Sequence, residues 1–252
     1  MRWRAHYDPG VPHSLAPYPD KTLLDVFAET VRERPAHPVL FFKGHPLAAH
    51  ALDRLSDSFA AALVALGVKK GDRVGVVLPN CPQFLIVELG TWKAGGVLVP
   101  LNPIYGDEEL AKPLRASGVE TVVVLTRFYA RLKGIQARTS VRRVIATRIK
   151  EYLPAPLRLL FTLLKERKEG HRVRLEKGDL WLQDLLARHA RDSRPAVDVR
   201  PEDPAFILLS GGTTGTPKGV VAPHRSLSIA ALQSRAWYGP HLAEGVDRVL
   251  LP

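Results

Sequence analysis

Residues 207–220 read Ile-Leu-Leu-Ser-Gly-Gly-Thr-Thr-Gly-Thr-Pro-Lys-Gly-Val, and their types and order suit a polyphosphate. Glycines admit positive φ and let backbone amides come close to a ligand. Successive N–H groups in such a loop form a concavity for anions. Ser210, Thr213, Thr214 and Thr216 add hydroxyl donors, and Lys218 adds a full positive charge. The Walker pattern fails because Pro217 precedes Lys218 and Gly219 follows it. The dinucleotide pattern fails because Gly211 and Gly212 are adjacent. A flexible surface hairpin with a stray lysine explains four hydroxyls and a lysine in so short a span less well.

The elements around this loop set its frame. Phe206–Leu209 is an apolar, β-type run feeding straight into it, and a strand and a helix starting near His224 follow. Upstream, Thr22 is a candidate N-cap for a helix carrying Leu23, Leu24, Val26, Phe27 and Val31. Residues 39–42 form a short strand, and 52–66 repeat apolar residues at helical spacing up to Gly67. Strands at 73–78, 97–99 and 121–125 alternate with helices at 81–94 and 107–117, the latter opening on three acids that suit its positive dipole end. Short alternation of this kind predicts an α/β fold, a mostly parallel sheet with helices on both faces.

The 252 residues carry a net charge of +11, and its location excludes a uniformly basic nucleic-acid binder. Residues 127–200 hold 19 Lys+Arg and 8 Asp+Glu, or 19 − 8 = +11; the remainder holds 17 of each. After one more strand at 144–146, Leu157, Leu160, Phe161 and Leu164 share a helical face flanked by Arg158, Lys165, Arg167 and Lys168. Two readings stand. Most amphipathic helices pack their apolar face on the domain and leave the cations in solvent. The alternative is a peripheral contact of residues 147–168 with an anionic membrane. Nucleic acid is not expected as a partner, because Phe128, Tyr129 and Phe161 are too sparse to stack bases. No apolar run is long enough to span a bilayer, the start is not a secretory signal, and lone Cys81 fits a reducing cytoplasm. No histidine or carboxylate cluster predicts a standing metal site. Cys81, beside Pro82 at a helix start, reads as a packing residue.

Ser210 to Val220, followed by His224, resembles the AMP-binding signature of the adenylate-forming enzymes, which include acyl-CoA synthetases, luciferases and peptide-synthetase adenylation domains. The common pattern is departed from at Leu208 and Leu209. Residues 66–74, 78–82, 94–96 and 101–105 with Glu109-Leu110 resemble framework motifs of that family. Residues 147–154 with the 157–164 run, the opening His6-Tyr7 and Pro12-His13, and the Gly211-Gly212 pair resemble bacterial long-chain fatty acid–CoA ligases more narrowly.

The resemblance implies that Ser210, Gly211, Gly212, Thr213, Thr214, Gly215, Thr216 and Lys218 hold the β- and γ-phosphates of ATP, with Thr213 and Lys218 stabilising the transition state. It implies ATP with Mg²⁺, a fatty acid and CoA as reactants: the acid forms an acyl-adenylate, and the CoA thiol then displaces AMP. It also implies that 1–252 is a partial AMP-binding N-terminal domain, with 127–200 as a basic, partly amphipathic insertion and 207–220 as the phosphate loop. The C-terminal domain is then absent. No residue matches the family's adenine pocket, magnesium-binding glutamate, ribose-binding aspartate or C-terminal lysine. The expectations that follow are a chain inactive as a synthetase in isolation, an unfinished sheet edge, and a cytoplasmic location with peripheral contact at the inner membrane face. Activation of an aryl or amino acid, and a non-catalytic phosphate-binding relic, remain alternatives.

Overall fold

The computed structural model describes residues 5–209, 218–243 and 245–250. Helix α1 (Leu23–Glu33) starts at Thr22, whose hydroxyl accepts from the Asp25 amide at 3.1 Å while Asp25 accepts from the Thr22 amide at 2.8 Å. This reciprocal capping box satisfies donors the helix leaves open. Strands β1 (Pro38–Phe42) and β2 (His45–Ala48) form an antiparallel ribbon. Its turn, Lys43-Gly44, has positive φ at both residues, the conformation a two-residue hairpin needs. Sequence patterning did not predict β2, because His45-Pro46 interrupts the apolar alternation.

The main sheet begins after α2 (Ala49–Ala65). It comprises β3 (Arg73–Val77), β4 (Val97–Pro100), β5 (Thr121–Leu125), β6 (Arg143–Thr147), β7 (Leu180–Trp181), β8 (Pro204–Leu209) and β9 (Gly219–Pro223). Their spatial order is β7-β6-β5-β3-β4-β8-β9, and every pairing is parallel except β8–β9. Helices α3 (Pro82–Lys93), α4 (Asp107–Ser117), α5 (Thr126–Gln136), α6 (Ala155–Leu164), α7 (Leu182–Arg188) and α8 (His224–Tyr238) complete the fold. Pro82 opens α3, where its missing N–H costs nothing, and Gly118 closes α4 in the left-handed conformation.

The central strands are buried on both faces, so alternate side chains enter two different cores. Val74, Val76 and Val123 join α2, α3 and α7 on one side. Val77, Val122 and Val124 join α4 and α5 on the other. This two-sided burial is why these strands read as continuous apolar runs. The α/β architecture expected from the sequence is the one observed. Helix α5 and the β7–α7 unit are additions to that reading; α5 opens the basic segment and the β7–α7 unit lies within it.

Helix α6 departs from the packing alternative. None of its residues is buried, and of the face expected to pack, Leu157, Leu160 and Leu164 are exposed while only Phe161 is half-buried.

Candidate functional site at the carboxyl edge of the sheet

Strand β3 lies between β4 and β5; the chain leaves β3 through α3 on one face and β4 through α4 on the other. The connection from β3 runs to β4 on one side and that from β5 runs to β6 on the other, so the carboxyl ends of β3 and β5 flank the topological switch point, and open α/β sheets bind ligands along this carboxyl edge. Strand β8 runs parallel to β4 with Leu98 opposite Phe206, so it ends at Leu209 on that same edge. Strand β9 returns antiparallel, with Leu209 and Gly219 as register partners. The described chain thus ends β8 at Leu209 and resumes at Lys218 on the same carboxyl edge, one strand beyond β4.

Of the residues assigned to phosphate, Lys218 is described: it is exposed and immediately precedes β9. Ser210, Gly211, Gly212, Thr213, Thr214, Gly215 and Thr216 lie outside the described residues. Both ends of the loop are fixed, however. Gly219 leaves no slack at its base, since a β-carbon there would sit 3.2 Å from Ile207 Cγ2. The donor set suits an anion, because 207–220 contains hydroxyls, glycine amides and an ammonium but no carboxylate. Among the described residues, no three His, Cys, Asp or Glu side chains are grouped to hold a metal.

The opposite edge holds the framework in register. Lys70, in the turn before β3, pairs with Asp203 at 2.6 Å and donates to the Asp198 carbonyl at 2.7 Å. Burial is the largest influence and pushes the Asp203 carboxyl up, but the Lys70 hydrogen bond, the Arg200 backbone hydrogen bond and the nearby positive charge together outweigh it and hold the group below its ordinary range. Trp92 of α3 donates from Nε1 to the Ala205 carbonyl at 2.9 Å, fixing the start of β8. His224 sits here too, although it trails the loop in sequence. Its ring meets Trp92 edge-on with centroids 5.4 Å apart, and burial lowers its pKa to about 4. It is a neutral packing group, one strand length from the loop.

Cys81 is the N-cap residue of α3, and burial pushes its thiol up to about 11, which makes it a packing residue as expected. The sequence did not predict the buried charge cluster behind this edge. Lys93 of α3, 2% exposed, meets Asp53 and Asp57 of α2 at 2.6 Å each. Its only local signal was a cation in the last turn of a helix.

Known proteins share these features. The model of the AMP-binding enzyme family matches residues 27–252. A long-chain-fatty-acid–CoA ligase from Bacillus subtilis is 32% identical over 251 residues, which is 98% of this chain and 44% of that protein. A solved long-chain-fatty-acid–CoA ligase from Archaeoglobus fulgidus superimposes with a TM-score of 0.70 at 26% identity, covering 92% of this chain and 42% of that one. The anthranilate CoA ligase AuaEII, solved with anthranoyl-AMP, gives the same TM-score at 18% identity, covering 85% and 37%. This chain therefore spans less than half the length of each, and at 18% identity the likeness shows the fold alone. With the family model matching residues 27–252, most of its length, the chain belongs to the AMP-binding enzyme family.

Proposed function

We propose that this chain supplies the polyphosphate-binding part of an acid–thiol ligase that activates a long-chain fatty acid. One observation supports the reading: Leu209 and Gly219, which flank residues 210–218, are register partners at the carboxyl edge of the sheet, and Lys218 is exposed just before β9. In the proposed reaction the acid's carboxylate attacks the α-phosphate of ATP, pyrophosphate departs, and the CoA thiol displaces AMP from the acyl-adenylate. The protein's main task is electrostatic: it must hold a polyphosphate leaving group in line and neutralise it. Backbone amides of Gly211, Gly212 and Gly215 and the hydroxyls of Ser210, Thr213, Thr214 and Thr216 are the donors in this reading. Lys218 supplies the charge, and Thr213 and Lys218 stabilise the transition state rather than move protons. Mg²⁺ would accompany the phosphates and neutralise part of their charge.

The 32% identity over 98% of this chain to a long-chain ligase, against 29% over 79% of it to a 4-coumarate–CoA ligase, supports a long-chain acid. Calorimetric titration tests the site: saturable, mutually competitive binding of Mg-ATP and pyrophosphate is expected, and no binding of either contradicts it. Pyrophosphate release with palmitate against anthranilate tests the acid. Release with palmitate and not anthranilate is expected from a longer ligase that contains these residues, and release with anthranilate alone overturns the long-chain assignment.

A further inference from the structure

Of the ten residues of α6, only Arg158 and Thr162 are polar, yet the helix buries none of them. A helix apolar on most sides is normally enclosed. Here Leu159, Leu163 and Leu164 are 63%, 71% and 64% exposed, with Leu157 and Leu160 beside them. The inner seam explains why this ridge does not collapse onto the domain. Phe161 turns inward and packs edge-on against buried His171 at 5.2 Å, and His171 Nδ1 meets Thr126 Oγ1 at 3.2 Å. Glu166, also buried, pairs with Lys150 at 2.6 Å, and Arg158 donates to the Glu151 carbonyl at 2.9 Å. The leucines are held outward by fixed contacts.

The charges around the ridge are unbalanced. Between residues 148 and 174 the acids are Glu151, Glu166 and Glu169. They pair with Arg148, Lys150 and Lys165. Arg158, Arg167, Lys168, Arg172 and Arg174 are left exposed, with no carboxylate partner among the described residues. A second copy docked through the same face would set these five cations against themselves, because a two-fold interface is self-complementary. A surface with spread negative charge over an apolar interior fits both features at once.

We propose that α6 is an interfacial anchor for an anionic bilayer, its leucines in the acyl region and the five cations on headgroup phosphates. The helix is about 15 Å long and would lie flat in the headgroup layer. No helix among the described residues is long and apolar enough to cross a membrane, which agrees with a contact that lies on the bilayer. Helix α6 follows the carboxyl end of β6, and β8 ends on the same edge of the sheet about 19 Å from β6, across four strand spacings. The anchor stands on α6 alone and holds whatever the phosphate loop binds.

Vesicle flotation tests it, with the 252-residue chain on phosphatidylglycerol–phosphatidylcholine vesicles against pure phosphatidylcholine, at low and high salt. Binding to the anionic vesicles at least about tenfold stronger than to neutral ones, and weakened by salt, is expected. Leu159→Glu/Leu163→Glu and Arg167→Glu/Lys168→Glu should each lower partition by about tenfold or more, with the urea midpoint unchanged because all four side chains are exposed. Three results would overturn the proposal: no preference for anionic vesicles, variants that partition like the parent while remaining folded, or a lipid-free dimer that Leu159→Glu/Leu163→Glu dissociates and vesicles do not.

Discussion

Leu209 and Gly219 are register partners across the antiparallel β8–β9 pair, and β8 lies beside parallel β4 with Phe206 opposite Leu98. The pairing brings the flanks of the 210–218 segment together on the carboxyl edge of the sheet. It puts Lys218 at an exposed position on that edge and, one strand further, sends His224 to the far edge. What supports this edge is open to mutation.

Lys93 joins α3 to α2 through Asp53 and Asp57. Lys93→Met removes the buried cation and leaves two partly buried carboxylates side by side. A loss of about 3 kcal/mol is expected from the urea midpoint, toward the low end for broken buried pairs because the acids keep some solvent contact. Asp53→Asn should cost less, since Asp57 still pairs. A Lys93→Met change below about 1 kcal/mol would show that the cluster contributes little.

The same two helices meet at Gly90. A β-carbon there would lie 2.8 Å from the Ser56 carbonyl oxygen and 2.7 Å from Phe59 Cδ1. Gly90→Ala should gain about 1 kcal/mol of helix propensity yet lose more through overpacking against backbone that cannot yield, a net loss of about 1–2 kcal/mol. A rise in thermal midpoint would mean that α2 and α3 separate easily.

Buried His224 and half-buried Glu88 give stability opposite dependences on pH. Burial lowers His224 to about 4, so the unfolded chain takes up its proton first as pH falls. Stability from neutral His224 is present above about 6.5 and is lost between 6.5 and 4, by up to about 3 kcal/mol. His224→Gln should flatten that slope in urea titrations across the window. Glu88 runs the other way. Burial pushes it up to about 7, so its ionised form opposes folding at higher pH. Glu88→Gln should stabilise the chain at pH 8 by about 1–2 kcal/mol, less than the full shift because the group is partly exposed, and have no effect near pH 4.5. Equal effects of Glu88→Gln at both pH values would contradict its burial.

Strands β3, β4 and β5 were legible because burial on both faces writes unbroken apolar runs such as Thr121–Leu125 between turn residues. Helix α5 was not, since Arg127, Arg131 and Lys133 mask the spacing of Tyr129, Leu132 and Ile135. Strand β7 is two residues long and carries no periodicity. Lys93 could not be paired in advance, because its partners lie 36 and 40 residues earlier. The anion-binding reading of 210–218 comes from residue types alone, while the places of flanking Leu209 and Gly219 on the carboxyl edge needed the sheet order. His224 shows the difference: six residues after Lys218 in sequence, it is carried about 17 Å away by the intervening strand.

The central claim is that residues 210–218 bind polyphosphate through Lys218. Calorimetric titration of pyrophosphate into the parent chain and Lys218→Ala tests it most directly. The side chain is exposed, so the urea midpoint should not move, while affinity should fall at least about tenfold with loss of a charge-assisted contact. A folded Lys218→Ala protein that binds pyrophosphate as tightly as the parent would contradict the assignment.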